Sequence, residues 1–133
     1  MGAPIIIDDC MDLWVSNGVK DYFCEIIVNG AALRGLDVSA VYENAPGIAG
    51  TFGVSGVGID ADEFYLYFGG REGFREHLDF CSNRMEELCD GDERSTATMQ
   101  RVFAWAKYKM DGGALDDSKD DFAGSWPPGY SGK

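Results

Sequence analysis

The sequence predicts an α+β fold: an N-terminal antiparallel β-meander of about four to five strands, then two amphipathic helices packed on one face of it. Three observations carry that expectation. Two Asn-Gly pairs, Asn17-Gly18 and Asn29-Gly30, separate apolar runs near the start of the chain. The runs beside them alternate between two sets of side chains. Between residues 71 and 110, apolar residues instead recur every three or four positions.

The meander rests on the runs "CMDLWVS", "VKDYFCEII" and "AALRGL". Asn-Gly favours the positive φ angles that a two-residue type I′ hairpin requires. Such turns set Leu13 opposite Tyr22, Met11 opposite Cys24, and Ile26 opposite Leu33. One face then collects Met11, Leu13, Val15, Tyr22, Cys24, Ile26, Val28, Ala31 and Leu33, interrupted by Lys20. The other collects Asp12, Trp14, Asp21, Phe23, Glu25, Ile27 and Arg34, with Glu25 across from Arg34. A slip of one residue would mix the two sets. Further on, "VSAVYEN" fits either a strand or a short helix. "GTFGV" and "DEFYLYFGG" read as strands, the latter with Phe64, Leu66 and Phe68 on one side and Glu63, Tyr65 and Tyr67 on the other.

The first helix is expected in "REGFREHLDFCSNRMEELCD". Its apolar stripe is Phe74, His77, Leu78, Cys81, Met85, Leu88 and Cys89, and Arg75–Asp79 and Arg84–Glu87 can pair outside it. The second covers about Ser95–Met110, with Met99, Val102, Phe103, Ala106 and Met110 as its stripe and Gly112-Gly113 past its end. Residues 1–112 thus form a single α+β domain, and residues 113–133 an acidic tail expected to be mobile. Within the tail "PPGY", residues 127–130, matches the P-P-x-Y pattern of short ligands for aromatic-lined grooves. Four-residue matches of this kind are common by chance.

Charge narrows the function. The chain of 133 residues carries a net charge of −12. Residues 1–70 hold ten acids against Lys20 and Arg34, whereas residues 71–110 hold eight acids against seven bases. Such a chain repels nucleic acid and anionic membranes and favours basic partners. The stretch "PGIAGTFGVSGVG", residues 46–58, is glycine-rich, but no Lys or Arg lies between Arg34 and Arg71 and no Gly-Lys-Ser/Thr occurs. A phosphate loop lacks its cation, so these glycines are read as sites of bending or close backbone approach. Cys10, Cys24, Cys81 and Cys89 form no C-x-x-C pair, and no signal peptide or membrane-length apolar run is evident. Reduced thiols and a cytoplasmic location are expected.

The candidate chemistry is sparse. His77, the single histidine, lies on or beside a helical stripe and is expected to be a packing residue. His77 and Cys81, four apart, could share a metal only with two further ligands, which no local pair supplies. Asp60, Asp62 and Glu63 make a compact acidic turn able in principle to hold a divalent cation. No catalytic residue, metal ligand or cofactor is assigned. The stronger candidate is a surface mixing rings with carboxylates: Asp12, Trp14, Asp21, Phe23, Glu25, Asp60, Asp62, Glu63, Tyr65 and Tyr67. Aromatic anchors carry binding energy, and clustered charge speeds encounter with an opposite partner. The expected function is a non-enzymatic acidic protein that occludes the basic surface of a nucleic-acid-binding partner, its carboxylates standing in for phosphates. Phage and mobile-element inhibitors of restriction or CRISPR effectors, and immunity proteins of nucleases, act in this way; the analogy is one of size and charge. Two alternatives stand beside it: a small metal-dependent enzyme using the Asp60/Asp62/Glu63 turn, and a homo-oligomeric structural protein burying Trp14 and Phe23 against a second copy.

Overall fold

The computed structural model of the chain describes residues 2–7, 12–54, 58–113 and 124–130. The fold is α+β, but it is mostly helical and its sheet is small and mixed. Strand β1 (Gly2–Ile6) lies in the centre, antiparallel to β2 (Asp12–Ser16) and parallel to β3 (Ile59–Asp60). Ala3 and Ile5 alternate inward along β1, Ile7 just past its end does the same, and Leu13 and Val15 do so along β2, giving one buried face. Ile5 stands beside Leu13 on one side and Ile59 on the other. Gly58 leads into β3 where a Cβ would come within 2.5 Å of the Pro4 ring and 2.8 Å of its carbonyl oxygen. At this position the glycine-rich stretch serves close backbone approach.

The predicted meander is corrected at its second and third strands. Residues Asn17–Leu33 form one helix, α1, so the paired faces derived from the Asn-Gly turns do not exist. The apolar residues of this segment satisfy a helical stripe as well as an alternation: Phe23, Cys24, Ile26, Ile27, Val28 and Ala31 are all buried. Burying each large member contributes roughly 1.5–3 kcal/mol, more than enough to override a turn preference. Ser16 caps the start, its Oγ accepting from the Val19 N–H at 3.3 Å, so Asn17-Gly18 falls in the first turn. Asn29-Gly30 lies inside the helix. At the other end Leu36 N–H donates to the Ala31 carbonyl at 2.9 Å and Gly35 N–H to the Ala32 carbonyl at 3.0 Å, with Gly35 at φ +76°. This Schellman closure stops α1.

The next segment is corrected too. Val38–Glu43 is a short helix, α2, capped by Asp37. Pro46–Thr51 is another, α3, with proline in its first turn, so "GTFGV" is a helix end and turn rather than a strand. After β3 the chain enters a 3₁₀ turn (Ala61–Phe64), and the strand predicted through residue 70 is absent. Phe64, Tyr65 and Phe68 instead gather around Phe74, with ring centroids 5.8, 5.3 and 5.9 Å from it.

The helical half follows its periodicity. Helix α4 (Arg71–Asn83) and a single turn, α5 (Met85–Leu88), replace the one predicted helix, with the break at Arg84. Helix α6 (Glu93–Met110) is capped by Asp92, whose Oδ2 accepts from the Ser95 N–H at 2.8 Å. Met99, Val102, Phe103, Ala106 and Met110 are buried along it. The pairs Arg75–Asp79 (2.7 Å) and Arg84–Glu87 (3.1 Å) form as their spacing predicts. Helix α1 is the hub: it touches β1 and β2 on one side and α4, α5 and α6 on others, and Phe23 meets Phe103 at 5.0 Å. Among the described residues, no helix is long and apolar enough to cross a membrane.

Candidate functional site

Close contact between α1 and α4 creates a buried polar cluster. His77 is fully buried; its Nδ1 lies 2.9 Å from Arg34 Nη1 and its Nε2 lies 2.9 Å from the Ile27 carbonyl oxygen. A guanidinium only donates, so Nδ1 accepts and the Nε2–H donates to Ile27. The ring is therefore neutral. Burial lowers its pKa to about 4, and the Arg34 charge pushes the same way against the Ile27 carbonyl. Phe68 stacks on the imidazole at 4.0 Å, and the guanidiniums of Arg34 and Arg84 each stand 5.5 Å from the Phe80 ring centre. Cys81 Sγ lies 3.5 Å from His77 Nε2, but burial raises its thiol to about 12. A protonated thiol beside a neutral imidazole is no nucleophile pair. The cluster locks α1 to α4; Gly30 leaves room for it, since a Cβ there would come 2.5 Å from Cys81 Sγ.

The acidic turn does not converge. Asp60 Oδ1 accepts from the Asp62 N–H at 3.0 Å and so caps the 3₁₀ turn. Glu63 Oε1 accepts from the Gly47 N–H at 2.9 Å and ties that turn to α3. Among the described residues, no group of three His, Cys, Asp or Glu side chains could hold a metal ion. Two of the carboxylates that suggested a metal enzyme, those of Asp60 and Glu63, act as a local cap and a tie.

Rings and carboxylates do meet: Asp21 and Glu25 of the predicted face take part, but the rings beside them are different ones. The outer side of α1 carries Asp21 and the exposed Glu25, and the turn after α3 folds against it. Gly53 N–H donates to Asp21 Oδ1 at 3.2 Å. The Phe52 ring, 38% exposed, meets Tyr42 of α2 edge-on at 6.3 Å, and Val54 beside it is 45% exposed. Burial raises the Tyr42 phenol, helped by Cys24 and by the charge of nearby Glu25. Glu43, next to Tyr42, is exposed. Beneath this face the Lys20 side chain is fully buried. Its ammonium donates to the Val54 carbonyl at 2.9 Å and the Thr51 carbonyl at 3.3 Å, and lies 3.4 Å from Asp21.

The ten residues predicted to bind a partner therefore scatter. Asp12 and Trp14 lie on β2. Asp21 and Glu25 share the outer side of α1, whereas Phe23 on the same helix is a core residue with no exposed surface. Asp60, Asp62, Glu63 and Tyr65 sit around the 3₁₀ turn. Tyr67 donates its hydroxyl to the Asp37 carbonyl at 3.0 Å. The predicted surface did not include Tyr42, Glu43, Phe52 and Val54. A signal existed in the alternative helical reading of "VSAVYEN", which sets Tyr42 and Glu43 at the end of a helix beside the glycine-rich turn.

A cleft of about 530 Å3 opens between α4–α5 and α6, lined by Ser82, Glu86, Thr96, Gln100, Arg101 and Trp126 among others. It contains none of the acidic turn that a metal enzyme would have used. No protein-family model matches the chain, and neither the curated proteins nor the solved structures give a match.

Proposed function

We propose that this chain is a non-enzymatic, cytoplasmic acidic binding protein. Its α1–α2–α3 face covers a basic, nucleic-acid-binding surface of a partner protein. One observation supports the reading above others: of the two cations of residues 17–70, Lys20 is enclosed in the fold beside Asp21. Arg34, at the end of α1, is exposed, with one guanidinium nitrogen on His77. Glu25 and Glu43 remain exposed, and among the described residues neither has an ion-pair partner. The helical half behaves differently, because Arg75 holds Asp79 and Asp111 and Lys107 also reaches Asp79. The negative field thus concentrates where Phe52, Val54 and Tyr42 offer apolar contact. Carboxylates in such a field compete with phosphates for Lys and Arg, and the rings supply contact that salt does not screen.

The experiment is capture on the immobilised chain from a nuclease-treated lysate of its own organism. A basic nucleic-acid-binding protein is expected to be retained and to elute as salt rises from roughly 0.1 to 1 M. The variant Glu25→Lys/Glu43→Lys/Phe52→Ala should not retain it. Retention of the same proteins by that variant would overturn the proposal.

A further inference from the structure

The C-terminal segment packs on α6. Trp105 Nε1–H donates to the Ser125 carbonyl at 2.8 Å, and Pro127 is buried. The Tyr130 ring meets Tyr108 edge to face at 6.5 Å, and Tyr108 meets Trp105 in the same manner at 5.6 Å. Aromatic-lined surfaces hold proline-bearing peptides elsewhere as extended polyproline segments; here the segment has one indole hydrogen bond, a buried proline and an edge-on ring contact.

The bound conformation is a turn. Tyr130 N–H donates to the Pro127 carbonyl at 3.2 Å, and Gly129 has φ +84°. With Pro128 and Gly129 at its two central positions this is a type II turn, the form that Pro-Gly favours without help from the rest of the fold. The shape that docks is therefore encoded within "PPGY" itself, which lowers the ordering cost of docking. Open clefts lie beside the docked segment. Trp126 borders the cleft of about 530 Å3 and a second of about 340 Å3 that reaches Lys107, Gly129 and Tyr130. A segment preshaped by its own residues and bordered by unfilled space can exchange for another of the same shape.

We infer that the Trp105–Tyr108 face of α6 is a docking site for proline-turn peptides. Its resident occupant is the chain's own segment 125–130, and the same segment of a second copy can replace it. In the single chain the resident segment competes at the high effective concentration of a tethered ligand.

The test uses a fluorescent peptide of residues 124–130, read by anisotropy against the full-length chain. Full-length Pro127→Ala/Tyr130→Ala weakens the resident segment, and it should bind the peptide about tenfold or more tighter than the wild-type chain does. Adding Trp105→Phe removes the indole donor and should weaken that binding by about tenfold. A peptide with L-alanine at position 129 should bind several-fold more weakly, whereas D-alanine, which accepts positive φ, should bind like glycine. The same ranking of the peptides against the wild-type chain provides a reading independent of the variant's folding. Absence of saturable binding up to millimolar peptide, or equal binding of the L- and D-alanine peptides, would overturn the inference.

Discussion

Gly30→Ala tests the packing of α1 on α4. In an open helix interior this substitution stabilises by about 1 kcal/mol, because alanine is the better helix former. Here the new Cβ would stand 2.5 Å from Cys81 Sγ and 3.3 Å from His77 Cε1. The sulfur overlap exceeds an ångström, and both neighbours are buried. Overpacking of that kind costs about 1–3 kcal/mol, so the two effects oppose and the steric one dominates. Gly30→Ala should lower stability by about 1–2 kcal/mol in urea unfolding followed by circular dichroism. Cys81→Ala alone should cost about 1 kcal/mol for its lost sulfur contacts. In the double variant the alanine methyl takes the space of the sulfur, so the losses should cancel in part, with a coupling of about 2 kcal/mol. A stabilised Gly30→Ala protein with no coupling to Cys81→Ala would refute the contact and the helix register behind it.

Three further outcomes follow from the same geometry. His77 is neutral in the fold, with its pKa lowered to about 4, so the unfolded chain binds the proton first as pH falls below about 6.5. Stability should therefore fall by about 2 kcal/mol between pH 7 and pH 5, measured as unfolding free energy, and His77→Gln should flatten the slope. Cys24 and Cys81 are buried thiols raised to about 12, so they should react with a disulfide reagent at pH 8 only as the chain unfolds. Rapid labelling of either in native buffer would contradict their placement. Lys20→Met keeps most of the buried volume but removes the donor to Thr51 and Val54, and should cost about 1–3 kcal/mol. Hydrogen exchange should quicken at residues 51–54; unchanged exchange there would show that the ammonium does not hold that turn.

The helical half was legible in the sequence because its two signals agree. In α6 the stripe from Met99 to Met110 and the glycines after Met110 specify one helix, which Asp92 caps. In α1 the signals conflict. Asn17-Gly18 and Asn29-Gly30 read locally as hairpin turns, yet the first falls in a capped first turn and the second is where Cys81 and His77 of α4 leave no room for a Cβ. No local pattern reveals that a helix fifty residues later needs a missing Cβ. The bracket Ser16…Gly35 was the available counter-signal, a helix cap and a left-handed stop. The same conflict governs the candidate surface: alternation set Phe23 beside Asp21 and Glu25, whereas a helix turns Phe23 into the core and leaves the carboxylates outside. The burial of Lys20 was not legible either, since its acceptors lie more than thirty residues away, at the end of α3 and in the turn after it.

The central claim is that the Glu25–Glu43–Phe52 face competes with phosphates for a basic partner. The most direct measurement is the anisotropy of a fluorescent oligonucleotide bound to the captured partner while this chain is added. The account predicts saturable release of the oligonucleotide by the wild-type chain, and none by Glu25→Lys/Glu43→Lys/Phe52→Ala. Binding of the chain with the oligonucleotide still in place, or equal release by the variant, would contradict it.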